Sequence, residues 1–206
     1  MGHPEYMDKR TIAVFDFDGT LTTKDTLIEF IKYACGKRRL YGGFLLFSPL
    51  LVLMKLHLYP NGKAKEKVFS HFFKGWKYSR FKETGRRFAV EIEKMRNEPV
   101  IQKMNQHLRQ AGKVYVVSAS ILEWVQPWCE AAGIDGVVAT EIEVDADGVV
   151  TGRFSTPNCY GQEKVNRILS LYPHCQDYHL AAYGDSRGDQ ELLAFADEAH
   201  YKPFRT

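Results

Sequence analysis

The stretch T-I-A-V-F-D-F-D-G-T-L-T, Thr11 to Thr22, constrains the fold more than any other part of the chain. Four apolar residues, Ile12 to Phe15, run directly into Asp16, and Asp18, Gly19 and Thr20 follow. A short apolar run bounded by turn residues predicts a buried strand. Two carboxylates at the end of such a strand need a compensating partner, because burying an unpaired charge is costly. In open α/β sheets the carboxyl ends of strands are where ligands bind. Paired acids beside a turn glycine suit a hard cation such as Mg²⁺, which takes oxygen ligands and accompanies phosphates. Two other readings compete. Asp-Gly between apolar runs is also a hairpin signal. An EF-hand loop places its glycine sixth, whereas Gly19 would stand fourth.

The remaining chain supplies the partners. Leu27, Phe30 and Ile31 recur at helical spacing and predict a helix from Leu21 to Tyr33, stopped near Gly36. Phe44 to Met54 is the most apolar stretch, too short for a bilayer span of about 20 residues. Ser48-Pro49 reads as an N-cap followed by proline at the first helical position, giving a helix from Pro49 to about Tyr59. Such a helix is either buried in a bundle or a surface that dips into lipid, flanked as it is by Lys37, Arg38, Arg39, Lys63, Lys65 and Lys67. Val68, Phe69, Phe72, Phe73 and Trp76, then Phe81, Phe88, Ile92 and Met95, form core stripes of a helical subdomain. His57 and His71 have no ligand partner in the pattern and read as structural.

Pro99 opens a further helix with Ile101, Met104 and Leu108 inward. From there strands and helices alternate: Val114–Val117 closing on Ser118-Ala119-Ser120, a helix from Ile121 to Ala132, a strand over Val137–Val144, and a hairpin through Asp147-Gly148 to Phe154. A helix over Glu163–Leu171, a strand over Tyr178–Tyr183, a helix over Gln190–Phe195 and a strand over Glu198–Tyr201 complete the chain. This alternation predicts a mostly parallel α/β sheet.

Charge divides the chain in the same way. Lys32 to Arg109 carries 18 Lys and Arg against 5 Asp and Glu, while the remainder carries 10 against 20. A basic, aromatic-rich segment is thus set into an acidic framework, and a basic surface attracts anionic partners or is a solvated helical exterior. The expected division is 7–24 with 97–206 as the core and 25–96 as the inserted cap. Hydrophobic content of 45% over 206 residues supports an ordinary core. Cys35, Cys129, Cys159 and Cys175 show no metal-ligand spacing, which suggests reduced thiols in a cytoplasmic compartment. Met1 to Arg10 has no apolar run of a secretory signal, and Met7 is an alternative start.

Three apolar strands end in polar groups: Asp16/Asp18, Ser118, and Asp185/Asp189. In a parallel sheet these ends share one edge. At an effective dielectric of about 20, two like charges about 4 Å apart repel by about 4 kcal/mol, and a divalent cation removes that repulsion. Asp16 and Asp185 are therefore candidate Mg²⁺ ligands. Asp16 is a candidate nucleophile forming an aspartyl-phosphate, Asp18 a candidate acid and base, and Ser118 and Lys164 candidate phosphoryl-binding groups. Each has an ordinary alternative: Ser118 a helix N-cap, Lys164 a surface lysine, Asp189 a helix N-terminal charge.

The ordered set D-F-D-G-T-L-T, V-V-S-A-S, a helical lysine, and Y-G-D-S-R-G-D resembles the haloacid dehalogenase superfamily, subfamily IB, in its phosphoserine-phosphatase-like branch. The resemblance implies a Rossmann-like α/β core with a C1-type helical cap and Mg²⁺-dependent phosphomonoester hydrolysis. It implies Asp16 as nucleophile and Asp18 as acid and base. It implies Mg²⁺ held by Asp16, the Asp18 carbonyl and Asp185, with Asp189 in support, and the phosphoryl group bound by Ser118, Ala119 and Lys164. Phosphoserine phosphatases carry a glutamate seven residues after the second aspartate, where Asp25 stands here as a candidate specificity residue. They usually have Ser-Gly-Gly where this chain has Ser118-Ala119-Ser120, and asparagine where it has Gly188. The basic, apolar cap is similar to that of bacterial phosphatidylglycerophosphatases. The expected substrate is a small phosphorylated metabolite, with a lipid phosphate and peripheral contact with the inner face of the membrane as the alternative. A non-enzymatic anion or nucleic-acid binder is a third reading, although nothing in the chain resembles a nucleic-acid-reading motif.

Overall fold

The computed structural model describes residues 10–203 apart from positions 57 and 111. Met7 and His57 lie outside the described residues. In chain order the elements are β1 (Arg10–Phe15), α1 (Thr26–Cys35), α2 (Lys37–Lys55), α3 (Asn61–Phe73), α4 (Tyr78–Ile92), α5 (Glu98–Arg109), β2 (Lys113–Ile121), α6 (Leu122–Ala131), β3 (Gly136–Thr140), β4 (Ile142–Val144), β5 (Val150–Phe154), α7 (Gln162–Leu171), β6 (Tyr178–Gly184), α8 (Gln190–Phe195) and β7 (Glu198–Tyr201).

Five strands form one parallel sheet in the order β3-β2-β1-β6-β7. The apolar run of β1 is explained by its central place. Ala13 and Phe15 point into one buried cluster and Ile12 and Val14 into the other, so both faces are covered, as parallel sheets require. Register then sets the site. Phe15 pairs with Val116 on β2 and with Tyr183 on β6. The chain just beyond Phe15 therefore comes level with the carboxyl ends of both neighbours.

Between β1 and α5 the chain builds the helical cap, α1 to α4. Phe30, Phe69, Phe73, Phe81 and Phe88 are buried there in the same cluster as Phe15 and Trp124. Phe30 stacks on Trp124 of α6 with ring centroids 4.4 Å apart. Cap and core thus share one apolar interior. Gly43 of α2 sits so close to α3 that an added Cβ would lie 2.3 Å from the Phe72 ring. His71 packs edge-on against Phe47 and Phe72, in keeping with a structural role. Cys35, Cys129 and Cys159 are free thiols.

Four expectations about elements change. The helix expected from Leu21 begins at Thr26, because Leu21 and Thr22 run out beside the returning chain: Asn97 donates to the Leu21 carbonyl and Thr22 bridges to Arg96. The helix expected from Pro49 begins at Lys37 and passes through the proline. Pro49 has no N–H for the Leu45 carbonyl, and the Ser48 hydroxyl donates to that carbonyl at 2.9 Å instead. Ser48 thus repairs the helix interior and does not cap it. The third change concerns β2, which continues past Val117 to Ile121 with a register shift against β3. The stretch Val137–Val144 divides into β3 in the main sheet and β4 in a separate antiparallel pair with β5. That pair is tied to the cap by backbone bonds Gly75 to Val150, Tyr78 to Gly148 and Val150 to Trp76. None of the described helices is long and apolar enough to cross a membrane.

Candidate active site

Asp16, the first residue past β1, is buried, and its backbone N–H donates to the Tyr183 carbonyl on β6. Lys164, near the start of α7, is only 2% exposed. Its Nζ lies 2.5 Å from Asp16 Oδ1 and 2.5 Å from Asp189 Oδ1. The other Asp189 oxygen accepts from the Ser186 hydroxyl at 2.7 Å, the Ser186 N–H at 2.9 Å and the Asp185 N–H at 3.2 Å. Carboxylate oxygens of Asp16, Asp185 and Asp189 lie within 4.8 Å of one another. The sequence placed these residues on different elements, and the strand register brings them together.

One lysine serves two carboxylates, those of Asp16 and Asp189. Burial raises the Asp16 carboxyl to about 7, against the lowering pull of Lys164. The two carboxylates hold Lys164 charged, above its ordinary value, despite the burial that opposes this. Asp189 is held below the usual carboxylate range: burial would raise it, and Lys164 and Ser186 outweigh burial. An acidic, all-oxygen cluster of this kind fits a hard divalent cation. The backbone supports the same reading. Gly19 has φ +83°, and an added Cβ would lie 2.5 Å from Asp185 Oδ2. Only glycine lets the loop come this close to Asp185.

Asp18 is held from two elements. Its Oδ1 accepts from the Thr26 N–H at 2.9 Å and the Thr26 hydroxyl at 2.6 Å, both at the start of α1. Its Oδ2 accepts from the Ser120 hydroxyl on β2. The Trp124 indole donates to Thr26 Oγ1 at 3.1 Å. Burial and the nearby Asp25 raise the Asp18 carboxyl, and Lys65 opposes them. A carboxyl of this kind can carry a proton.

Ser118 is buried, and its Oγ accepts from the Ser120 N–H at 3.0 Å. It lies within β2 and caps no helix. The Ala119 carbonyl accepts from Lys65 Nζ of α3 at 2.7 Å and from the Thr140 hydroxyl at 3.0 Å. Asp25 is the N-cap of α1, its Oδ1 accepting from the Ile28 N–H at 3.0 Å. It also lines the cavity that contains Asp16, Asp18, Ser118, Ala119 and Lys164. Thr20, whose hydroxyl donates to Asp185 at 3.3 Å, has no site role in the sequence reading, nor do Thr26, Ser120 and Lys65. Ser120 stood in a motif already quoted. Thr26 carries no local signal, and Lys65 is read only as one of the basic flanks of the apolar helix.

A family model described as haloacid dehalogenase-like hydrolase matches residues 13–194. The chain belongs to that family. This hydrolase is 33% identical over 207 residues to Protein CicA of Caulobacter vibrioides, a match covering all of this chain and 89% of the relative. A solved protein of unknown function from Bordetella pertussis superposes with TM-score 0.75 at 20% identity, over 91% of this chain and 87% of that one. The phospho-aspartyl intermediate analogue of a phosphoserine phosphatase gives TM-score 0.63 at 19% identity, over 92% and 84%. The fold is that of the phosphoserine-phosphatase-like branch, and the chain is an enzyme, a hydrolase.

Proposed function

We propose that this hydrolase cleaves phosphomonoesters with Mg²⁺ through an aspartyl-phosphate at Asp16. The observation that carries the reading is the meeting of Asp16, Asp185 and Asp189 at the ends of two adjacent parallel strands, around one buried lysine. Asp16, the Asp18 carbonyl and Asp185 would hold the ion. When bound, it supplies positive charge to the phosphoryl oxygens.

An Asp16 carboxylate oxygen attacks phosphorus, and the bond from phosphorus to the ester oxygen breaks. Asp18 gives its proton to the departing oxygen, so a neutral alcohol leaves. Asp18, now ionised, takes a proton from water as that water attacks phosphorus. The bond between phosphorus and Asp16 breaks, and inorganic phosphate and the Asp16 carboxylate are restored. Ser118 and the backbone at Ala119 bind the phosphoryl oxygens, and Lys164 holds Asp16 in place and offsets its charge. Asp189 acts through Lys164 and the Asp185 backbone.

Turnover of a generic aryl phosphate tests this reading. Asp16→Asn is expected to abolish it, and chelation to abolish it reversibly, with activity restored by Mg²⁺. Undiminished activity in excess chelator would refute the metal's part. Substrate choice is decided on the alcohol side of the site, in the cap.

A further inference from the structure

The cavity of about 320 Å³ that Asp16 and Asp18 line continues beneath the cap, between α1, α2 and α3. Among the described cap residues that line it, only Asp25, Asn61 and Lys65 have polar side chains. Asp25 is engaged in capping α1, and Lys65 is bonded to the Ala119 carbonyl. The other described cap residues of the lining are aliphatic or aromatic apart from glycine. From α2 it takes Leu40, Phe44, Phe47, Leu51 and Met54, three or four residues apart, which places them on one helix face. A small hydroxy amino acid would face mostly apolar wall with its ammonium and carboxylate, which is costly for charged groups. A hydrocarbon chain would gain there, by about fourfold in affinity for each methylene removed from water.

The opposite side of α2 is apolar too. Leu45, Leu46, Val52, Leu53 and Leu56 are exposed, Leu45 by 80%. A helix apolar on both sides is ordinarily enclosed or in contact with lipid. Lys37, Arg38 and Arg39 stand at one end of α2 and Lys55 at the other, and no acid lies between them. Basic residues around an apolar ridge match an anionic lipid surface.

We propose that the natural substrate is an amphiphilic phosphomonoester, its hydrocarbon portion lying along the inner face of α2, drawn from an anionic lipid surface on which the outer face of α2 rests. This rests on the phosphomonoesterase reading and names the substrate class for the same site. The inner face of α2 selects the chain. The outer face brings the enzyme to where such molecules reside.

The test uses alkyl phosphates from butyl to decyl, kept below their critical micelle concentrations, with phosphoserine beside them. On the full chain with Mg²⁺, kcat/KM is expected to climb by at least about a hundredfold from butyl to decyl, and Phe47→Asp is expected to flatten the series. Calorimetry with butyl- and decylphosphonate, which cannot be hydrolysed, reads binding without turnover and is expected to show the same preference. Sedimentation with phosphatidylglycerol-containing vesicles is expected to carry the protein down, whereas pure phosphatidylcholine vesicles do not. Leu45→Glu with Leu46→Glu is expected to release it. Aryl phosphate turnover with a flat alkyl series, or preference for phosphoserine, would overturn the inference and leave the phosphatase reading intact. Chain-dependent phosphonate binding with no turnover of any phosphomonoester would overturn the phosphatase reading and keep the amphiphile site. Failure to bind phosphatidylglycerol vesicles would overturn the membrane half of the proposal.

Discussion

At the scale of single residues, Asp18 is held on both of its oxygens by neighbouring side chains and backbone. Two donors from Thr26 and one from Ser120 fix its oxygens, and Trp124 fixes Thr26 in turn. A hydrogen bond to a charged group contributes about 1.5–3 kcal/mol. Thr26→Val is therefore expected to lower kcat on an aryl phosphate by about tenfold to a hundredfold, with KM little changed, as steady-state kinetics would show. Gly19→Ala is expected to be more severe, because the new Cβ would meet Asp185 Oδ2 at 2.5 Å in a left-handed conformation. Loss of Mg²⁺ binding in calorimetry would accompany the loss of activity. The convergence of Asp16 and Asp185 was legible in the sequence because each closes an apolar strand, and parallel strands end on one edge. Thr26, Ser120 and Lys65 were not. Their parts depend on contacts across the chain, such as Ser120 with Asp18 102 residues away and Lys65 with Ala119 54 residues away.

At the scale of elements, local rules read the strands well and the cap helices less well. The strands of the main sheet follow from short apolar runs buried on two faces. In α2, Ser48-Pro49 has the form of a helix start, whereas Ser48 serves the carbonyl that Pro49 leaves unpaired inside the helix. The junction between α4 and α6 holds a separate titrating group. Burial raises the Glu123 carboxyl on α6 to about 7, with Tyr78 of α4 hydrogen-bonded to it. One of its oxygens is buried with no partner among the described residues. The folded state therefore prefers the protonated acid. Its contribution to stability is complete below the ordinary value of 4.5 and is lost as pH rises through about 7. Glu123→Gln is expected to melt at a higher temperature than the parent above pH 7. The difference should close below pH 4.5, as thermal scans across that range would show.

At the scale of the whole molecule, cap and core are joined by shared packing. Phe30, Phe81 and Phe88 all approach Trp124, which is fully buried. Trp124→Ala is expected to destabilise the fold by about 3–5 kcal/mol, measured by urea unfolding, and to disturb Asp18 through Thr26. The sequence already showed a basic insert in an acidic framework. It could not show which face of α2 would line the cavity, since that depends on where α1 and α3 pack. The ion belongs to this scale as well, because it would join the ends of β1 and β6. A ligand held only by the folded state stabilises it by about 2.7 kcal/mol at a hundred times its dissociation constant. Mg²⁺ is expected to raise the melting temperature of the parent and not that of Asp185→Asn.

The central claim is that Asp16 accepts the phosphoryl group. Borohydride reduces an acyl phosphate and spares a free carboxylate, so it should convert a phosphorylated aspartate to homoserine. Reduction during turnover of an aryl phosphate with Mg²⁺, followed by peptide mass mapping, reads the position directly. The expected result is homoserine at position 16 with Asp18 unchanged. Turnover with position 16 unmodified, or with the modification at another acid, would contradict it.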